Sequence, residues 1–426
     1  MKIGYLTFGR DDFGYGLALC LDRIKGHDIY RVTPKTAKLV DVLLFSCFWW
    51  EHIYLLADFL KKTGIKKGTG PRVIVGGFNT FNPVPFMSYA DSVVCGDGED
   101  ILLSVLAGED PGFTWHNVEA LRGFCNETNG IARIELSRGC KFHCRFCAVS
   151  HLKPYRETPI EEVERCLKET KLKRIALFAP EPTLYSKDKE INALCERMGK
   201  VRLDSDVRLD RVGDRPYRVA RVGIEGISER LRKSVGKPYK NEYIVEQVDK
   251  AIKAGRGGIF FYIILDLPGE EKEDWEEFGG LLRRIGEVPG APDFVLKPSP
   301  SVFMPNPHTP MEYEEIHWDR DYVGKWREFF RGGENKKKWE VMMAERSRVF
   351  SPAMRILSMI STRCGEEFFE IEQELFQKKI IGISGGRVAC RSLPHLARVL
   401  QKHGGPEKYC GPRSPEGDNP WKRLII

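Results

Sequence analysis

The sequence predicts an α/β protein in three parts. Residues 1–110 read as a Rossmann-like, doubly wound parallel sheet, residues 131–310 as a central (β/α)6 partial TIM barrel, and residues 311–426 as a mostly helical extension. Residues 111–130 read as the linker between the first two parts. Three observations lead there. Short continuous apolar runs recur, as in strands buried on both faces of a parallel sheet. Segments of helical periodicity lie between them. After residue 311 this alternation gives way to aromatic and charged residues.

In the first part, strands are expected at 3–8, 41–46, 72–75 and 92–95, and helices at 17–24 and 53–62. A glycine-containing loop spans 9–16. The linker region carries a short strand or hairpin. In the second part, strands are expected at 131–136, 174–178, 201–205, 221–224, 259–265 and 293–297. Helices at 159–170, 187–198, 241–254 and 273–285 fall between them. The chain closes on a Gly/Pro-rich tail, 404–420.

A formal net charge of +7 over 426 residues is a mild excess that permits an anionic partner without establishing one. No apolar run is long enough to span a bilayer, and the first residues lack the charged-then-apolar layout of a signal peptide. A cytoplasmic protein with no membrane partner is expected. A reducing compartment disfavours disulfides, so the 12 cysteines need another explanation. Most fit as small apolar core residues. Three are spaced too deliberately for that.

The stretch ELSRGCKFHCRFC at 135–147 sets Cys140, Cys144 and Cys147 in the spacing C-x3-C-x2-C. It directly follows a strand, at the end of a barrel where active sites lie. Three thiolates on one tight loop suit three corners of a cubane and leave the fourth iron open, as a catalytic centre requires. A zinc site is the alternative; it needs a fourth ligand, and His143 is adjacent. The pattern, with Phe146 before the last cysteine, resembles the signature of the radical S-adenosylmethionine (SAM) superfamily. That resemblance implies a [4Fe–4S] cluster whose open iron is chelated by the amino and carboxylate groups of SAM. It also implies reductive cleavage of SAM to a 5′-deoxyadenosyl radical.

The later strand ends extend the resemblance. Glu181, within LFAPEP at 177–182, is similar to the family's methionine-gripping glutamate, although proline and alanine replace the usual glycines, and the resemblance assigns Phe146 to SAM as well. Ser205 and Arg208, in DSDVR at 204–208, are placed toward the sulfonium or ribose. Glu225, in GIEGISERLR at 223–232, resembles a residue near the nucleoside. Ile264 and Leu267, in IILDLPGE at 263–270, resemble the adenine-contacting segment.

The phrases VIVGGFNT at 73–80 and ADSVVCGDGE at 90–99 resemble the cobalamin-binding-type domain fused to many radical enzymes. The resemblance implies cobalamin contacts from Ser46, Trp49, Gly76, Gly77, Phe78, Asn79, Gly96 and Gly98, with glycines letting a flat ring approach the backbone. No Asp-x-His-x-x-Gly sequence offers a lower cobalt ligand. The radical methylthiotransferases compete for this assignment. They need three cysteines on three strand-end loops, and here Cys47 is accompanied by Arg10 and Gly77.

SPSVFMPNPHTP at 299–310, LSMISTRCG at 357–365 and NPWK at 419–422 are similar to segments of cobalamin-type radical proteins of unassigned substrate. Cys364, Cys390 and Cys410 are too irregularly spaced for an auxiliary cluster and read as buried thiols. Basic clusters at 61–67, 168–174 and 327–338 include one interleaved with aromatics, read as a solvated helix with core-facing rings. The resemblance as a whole implies a radical SAM enzyme using cobalamin to methylate an unactivated carbon. An external electron donor of flavodoxin or ferredoxin type would serve it. The alternatives are a non-methylating modification of a nucleic-acid base, peptide or metabolite, and a non-catalytic iron–sulfur or zinc protein that binds nucleic acid.

Overall fold

The structure is a computed structural model that describes residues 1–7, 14–203, 206–214, 218–331, 351–384 and 386–426. It divides into two compact units. One comprises Met1–Ala120, Asn306–His308 and Ala353–Ile426; the other comprises Leu121–Pro305 and Thr309–Pro352.

The apolar runs of the first unit become a wholly parallel sheet. Its strands are β1 (Lys2–Leu6), β2 (Asp28–Arg31), β3 (Val42–Ser46), β4 (Arg72–Gly76) and β5 (Ser92–Val93), ordered β2-β1-β3-β4-β5. Crossover segments hold α1 (Tyr15–Arg23) and α2 (His52–Thr63), and α3 (Leu102–Ala107) follows the last strand of the sheet. Ile3, Leu44 and Ile74 of the strands pack with Leu17, Leu21 and Val105 of the helices. Strand order reverses between β1 and β3, so the crevice outside their carboxyl ends is the ligand position for this topology. Short strands β6 (Cys95–Gly96) and β7 (Trp115–His116) pair beside the sheet.

The second unit opens on a hairpin of β8 (Cys125–Thr128) and β9 (Ile131–Glu135). β10 (Ser137–Arg138) and β11 (Arg156–Glu157) bracket an excursion that holds α4 (Ala148–Leu152). α5 (Ile160–Glu169) has two glutamates in its first turn and buries Val163, Cys166 and Leu167 on one stripe. It leads to β12 (Arg174–Phe178), α6 (Asp188–Arg197) and β13 (Val201–Arg202). Next come β14 (Val219–Glu225), α7 (Glu229–Ser234), α8 (Asn241–Lys253), β15 (Gly258–Leu265), α9 (Lys272–Gly286), β16 (Val295–Val302) and α10 (Tyr322–Arg331). β9, β12 and β13 run parallel in one sheet, with β8 added antiparallel at its edge, while β14, β15 and β16 form a second parallel sheet. Among the described residues an isolated parallel bridge pairs Asp206, shortly after β13, with Arg221 of β14.

β16 differs from expectation. It runs to Val302 through Pro298 and Pro300, which the sequence placed beyond the strand. An edge strand tolerates prolines because one side has no ladder to supply with N–H donors. The expected strand at 201–205 is shorter, ending at Arg202, with residues 204 and 205 outside those described.

The C-terminal segment holds α11 (Pro352–Arg363), α12 (Phe368–Gln377), an unexpected hairpin of β17 (Ile381–Ser384) and β18 (Arg387–Cys390), α13 (Leu393–Gln401) and α14 (Glu407–Cys410). It is tied into the first unit. Tyr54 Oη donates to the Leu357 carbonyl at 3.0 Å, and Asn82 Nδ2 donates to the Thr362 and Cys364 carbonyls. In α10, Trp326 is buried and Phe329 stacks on Phe278, so these rings face the core. The rest of that basic cluster, from 332 onward, lies outside the described residues. No helix among the described residues is long and apolar enough to cross a membrane.

Candidate active site

The cysteine loop is pinned at both feet. β10 pairs with β11, and Gly139 follows in the left-handed region at φ 78°. A Cβ there would lie 2.3 Å from the Pro154 carbonyl oxygen, so only glycine lets the two arms close. Beyond it, Cys147 N–H donates to the Cys144 carbonyl at 3.0 Å, and His151 Nε2 lies 3.2 Å from the same oxygen. Ser150 Oγ donates to the Cys147 carbonyl. A third anchor comes from outside the loop: Arg145 N–H donates to the Val235 carbonyl at 3.1 Å.

Cys144 is buried, and Cys140 and Cys147 are half-buried. Burial pushes the Cys144 thiol up to about 11, an effect that the nearby Lys237 ammonium opposes. Burial also raises the Cys140 thiol, opposed by the Phe142 backbone N–H. Cys147 and Lys237 bear on both Cys140 and Cys144, with Glu181 acting on Cys140 and Glu225 on Cys144. The structure thus gathers residues from the ends of β10, β12 and β14. Among the described residues no group of three Cys, His, Asp or Glu side chains closes around one point as a single metal ion requires. His143, the fourth ligand a zinc site would use, is exposed, with its ring 5.9 Å from that of His151.

Glu181 accepts from the Thr183 N–H and hydroxyl through Oε1, and burial raises its pKa. Arg208 lies over the Phe142 ring at 3.9 Å and donates to Asp210. Phe146 is half-buried on the cysteine loop. Glu225 is held by Lys237 Nζ at 2.8 Å. Ile264 and Leu267 are buried at the end of β15. Ser205 lies outside the described residues. Lys237 and His151 went unnoticed in the sequence, where each looked like an ordinary polar residue.

In the first unit, Ser46 and Trp49 follow β3, and Trp49 is 62% exposed beside Phe48. Phe78 and Asn79 follow β4. Asn79 is buried, and among the described residues its Nδ2 has no hydrogen-bond partner; neither does Thr7 Oγ1, just past β1. Orphaned polar atoms past the ends of β1 and β4, the two strands that flank β3, suit a polar ligand. The glycines act differently from their sequence reading. A Cβ on Gly77 would meet the Cys47 backbone at 2.7 Å, and one on Gly96 would meet the His116 carbonyl at 2.2 Å. Both have positive φ and serve internal packing. Gly76 and Gly98 have only side-chain or ordinary contacts nearby. Burial keeps the Cys47 thiol neutral by raising it far above its ordinary range. Arg10 lies outside the described residues. Cys364 and Cys410 are buried and Cys390 half-buried, each raised by burial, as structural thiols are.

Residues 134–282 match the family described as the Radical SAM superfamily. The chain carries a radical SAM domain. The match covers the cysteine loop and the ends of β12, β14 and β15. An uncharacterized protein of Methanocaldococcus jannaschii is 28% identical over 337 residues, 69% of this chain and 70% of that protein. The structure of the cobalamin-dependent S-adenosylmethionine radical enzyme OxsB with aqua-cobalamin and S-adenosylmethionine bound is 14% identical with a TM-score of 0.51. It covers 94% of this chain and 66% of the OxsB chain. OxsB with aqua-cobalamin alone gives a TM-score of 0.50 at 14% identity, covering 92% and 64%. The likeness is one of fold, and this chain spans just under two thirds of OxsB.

The radical SAM domain's own residues fit a cluster. Its donors are three soft thiols on one pinned loop, at the spacing along the chain that separate irons use.

Proposed function

We propose that this radical SAM enzyme holds a [4Fe–4S] cluster on Cys140, Cys144 and Cys147, and uses SAM and cobalamin to methylate an unactivated carbon. The observation that carries the reading is the pinned three-thiol loop with Glu181, Arg208 and Lys237 around it. When bound, such a cluster supplies the electron that cleaves SAM. The protein's part is to bind and orient. Glu181 Oε2 is the acceptor for the SAM ammonium, and Phe146 and Arg208 border the same loop. Ser205, Glu225, Ile264 and Leu267 complete the set assigned to SAM.

Cobalamin is assigned to the crevice at the β1 and β3 ends. Trp49 and Phe78 offer ring contacts there, Asn79 Nδ2 and Thr7 Oγ1 offer polar ones, and Ser46, Gly76, Gly77, Gly96 and Gly98 line the strand ends. OxsB, with the same fold, is described as cobalamin-dependent. The exposed Lys141 and Arg145 on the cysteine loop suit an acidic electron donor of flavodoxin or ferredoxin type.

A second reading is a radical enzyme that does not methylate. It is favoured by Gly77 and Gly96, whose special backbone is explained without any corrinoid. One experiment separates the two. With its true substrate and a CD3-labelled SAM, the methylating enzyme gives near-equal 5′-deoxyadenosine and S-adenosylhomocysteine, and a product carrying intact CD3. Formation of 5′-deoxyadenosine without S-adenosylhomocysteine favours the second reading.

A further inference from the structure

β14 ends irregularly. Its register with β15 shifts between Gly223 and Glu225, and Glu225 takes a left-handed backbone at φ 65°. A non-glycine residue there is strained, so the surroundings must hold it. They do so through one ion pair. Lys237 Nζ donates to Glu225 Oε1 at 2.8 Å and to the Gly223 carbonyl at 3.0 Å. The pair is largely shielded from solvent, with side-chain exposures of 24% and 12%. It also lies directly against residue 223, where a side chain would have to displace it. A Cβ there would lie 2.2 Å from Glu225 Oε1 and 2.7 Å from Lys237 Nζ.

The lysine is pressed toward the cysteine loop. Arg145 N–H bonds the Val235 carbonyl, and Arg145 Nη1 bonds the Ser234 carbonyl, both at 3.1 Å. Gly236, at φ 83°, lies so close that a Cβ on it would be 3.4 Å from the His143 carbonyl oxygen and 3.6 Å from Cys144 Cα. Lys237 is the next residue. The Arg145 anchors and the close approach of Gly236 thus fix Lys237 next to the segment that carries Cys144. The pair is formally neutral, so removing either end leaves an uncompensated charge of the opposite sign beside the loop.

We propose that the Lys237–Glu225 ion pair is a positioning element that sets the reduction potential of the cluster on the cysteine loop. This rests on the cluster assignment above. Reduction adds one negative charge to a thiolate-ligated centre in a partly buried site. A fixed ammonium beside Cys144 stabilises the reduced state, and Glu225 limits that effect by neutralising the ammonium. Low local dielectric makes such a charge count.

The test is a potentiometric titration of the reconstituted, full-length protein with dithionite, followed by electron paramagnetic resonance, after iron has been quantified. Lys237→Met leaves Glu225 unneutralised and should make the reduction equilibrium about tenfold less favourable, a fall of about 59 mV for a one-electron couple. Glu225→Gln should move the midpoint the opposite way, and Lys237→Arg should leave it within about threefold of wild type. A purely structural role for the pair gives no such opposition of sign. Shifts in the same direction, or none beyond about twofold in variants with wild-type iron, overturn the proposal and leave the cluster assignment standing. Wild-type protein that takes up no cluster overturns both. Should Lys237→Met lose its iron, the contrast between Glu225→Gln and Lys237→Arg decides in the same way.

Discussion

Arg138 grips Glu135 with two hydrogen bonds, Nε to Oε1 at 3.0 Å and Nη2 to Oε2 at 2.7 Å, and both side chains are buried. The pair joins the last residue of β9 to the foot of the cysteine loop. Removing one partner of a buried pair strands the other charge, at a cost of about 3–5 kcal/mol. Arg138→Met should therefore lower the denaturation midpoint and reduce iron uptake together. Unchanged stability and full iron uptake would show that the pair does not support the loop.

Gly139 should be the most sensitive glycine of that loop. A Cβ would meet two backbone carbonyls, at 2.3 Å from Pro154 and 2.4 Å from Lys153. Gly139→Ala is expected to lose the cluster. Gly130→Ala is the control: it shares the positive φ but has open space, so only the backbone cost of about 1–2 kcal/mol applies. Equal effects of the two on iron retention would contradict the packing argument.

The first unit offers a sharper test of the cobalamin assignment than glycine replacement. Gly77→Val should destabilise the protein without any corrinoid, because it collides with the Cys47 backbone. Trp49→Ala removes an exposed ring and should leave apo-protein stability within about 0.5 kcal/mol while weakening corrinoid retention on gel filtration. If Trp49→Ala retains hydroxocobalamin as wild type does, the crevice at the β3 end is not the site.

Glu372 makes stability pH-dependent. It is buried, accepts from Tyr89 Oη and Gln373 Nε2, and among the described residues has no partner on Oε1. Burial raises its pKa to about 7, with Lys61 and Asp58 the other charges that bear on it. The folded state then binds the proton more tightly than the unfolded chain does. Stability present below about pH 4.5 is lost as pH rises, and the loss levels off above about pH 7, for a total of about 3 kcal/mol. Glu372→Gln should remove that slope. Denaturation of both proteins at pH 5.5 and 8 checks this, and an equal pH dependence in the two would contradict it.

Much of this was legible in the sequence because it depends on local pattern. The cysteine spacing and the strand before it placed the loop. The apolar runs of β3, β4 and β15 declared themselves by length and composition. What escaped notice depended on tertiary context. β2 (Asp28–Arg31) has a polar, half-exposed edge pattern that resembles a loop. β16 contains prolines that only its edge position permits. The glycines at 77 and 96 looked like room for a cofactor, yet the backbone pressing on them comes from Cys47 and His116. Lys237, in the run SVGKPYK, is indistinguishable from a solvated charge until Gly223 and Glu225 are folded beside it.

The central claim, a radical-generating cluster on Cys140, Cys144 and Cys147, is tested most directly by anaerobic reconstitution followed by reduction with SAM. Iron, sulfide and 5′-deoxyadenosine are measured on wild type and Cys144→Ala. About four irons and four sulfides per wild-type chain are expected, with 5′-deoxyadenosine formed, and Cys144→Ala should lose both cluster and nucleoside. A wild-type protein that holds one zinc, resists reconstitution and leaves SAM intact would contradict the account.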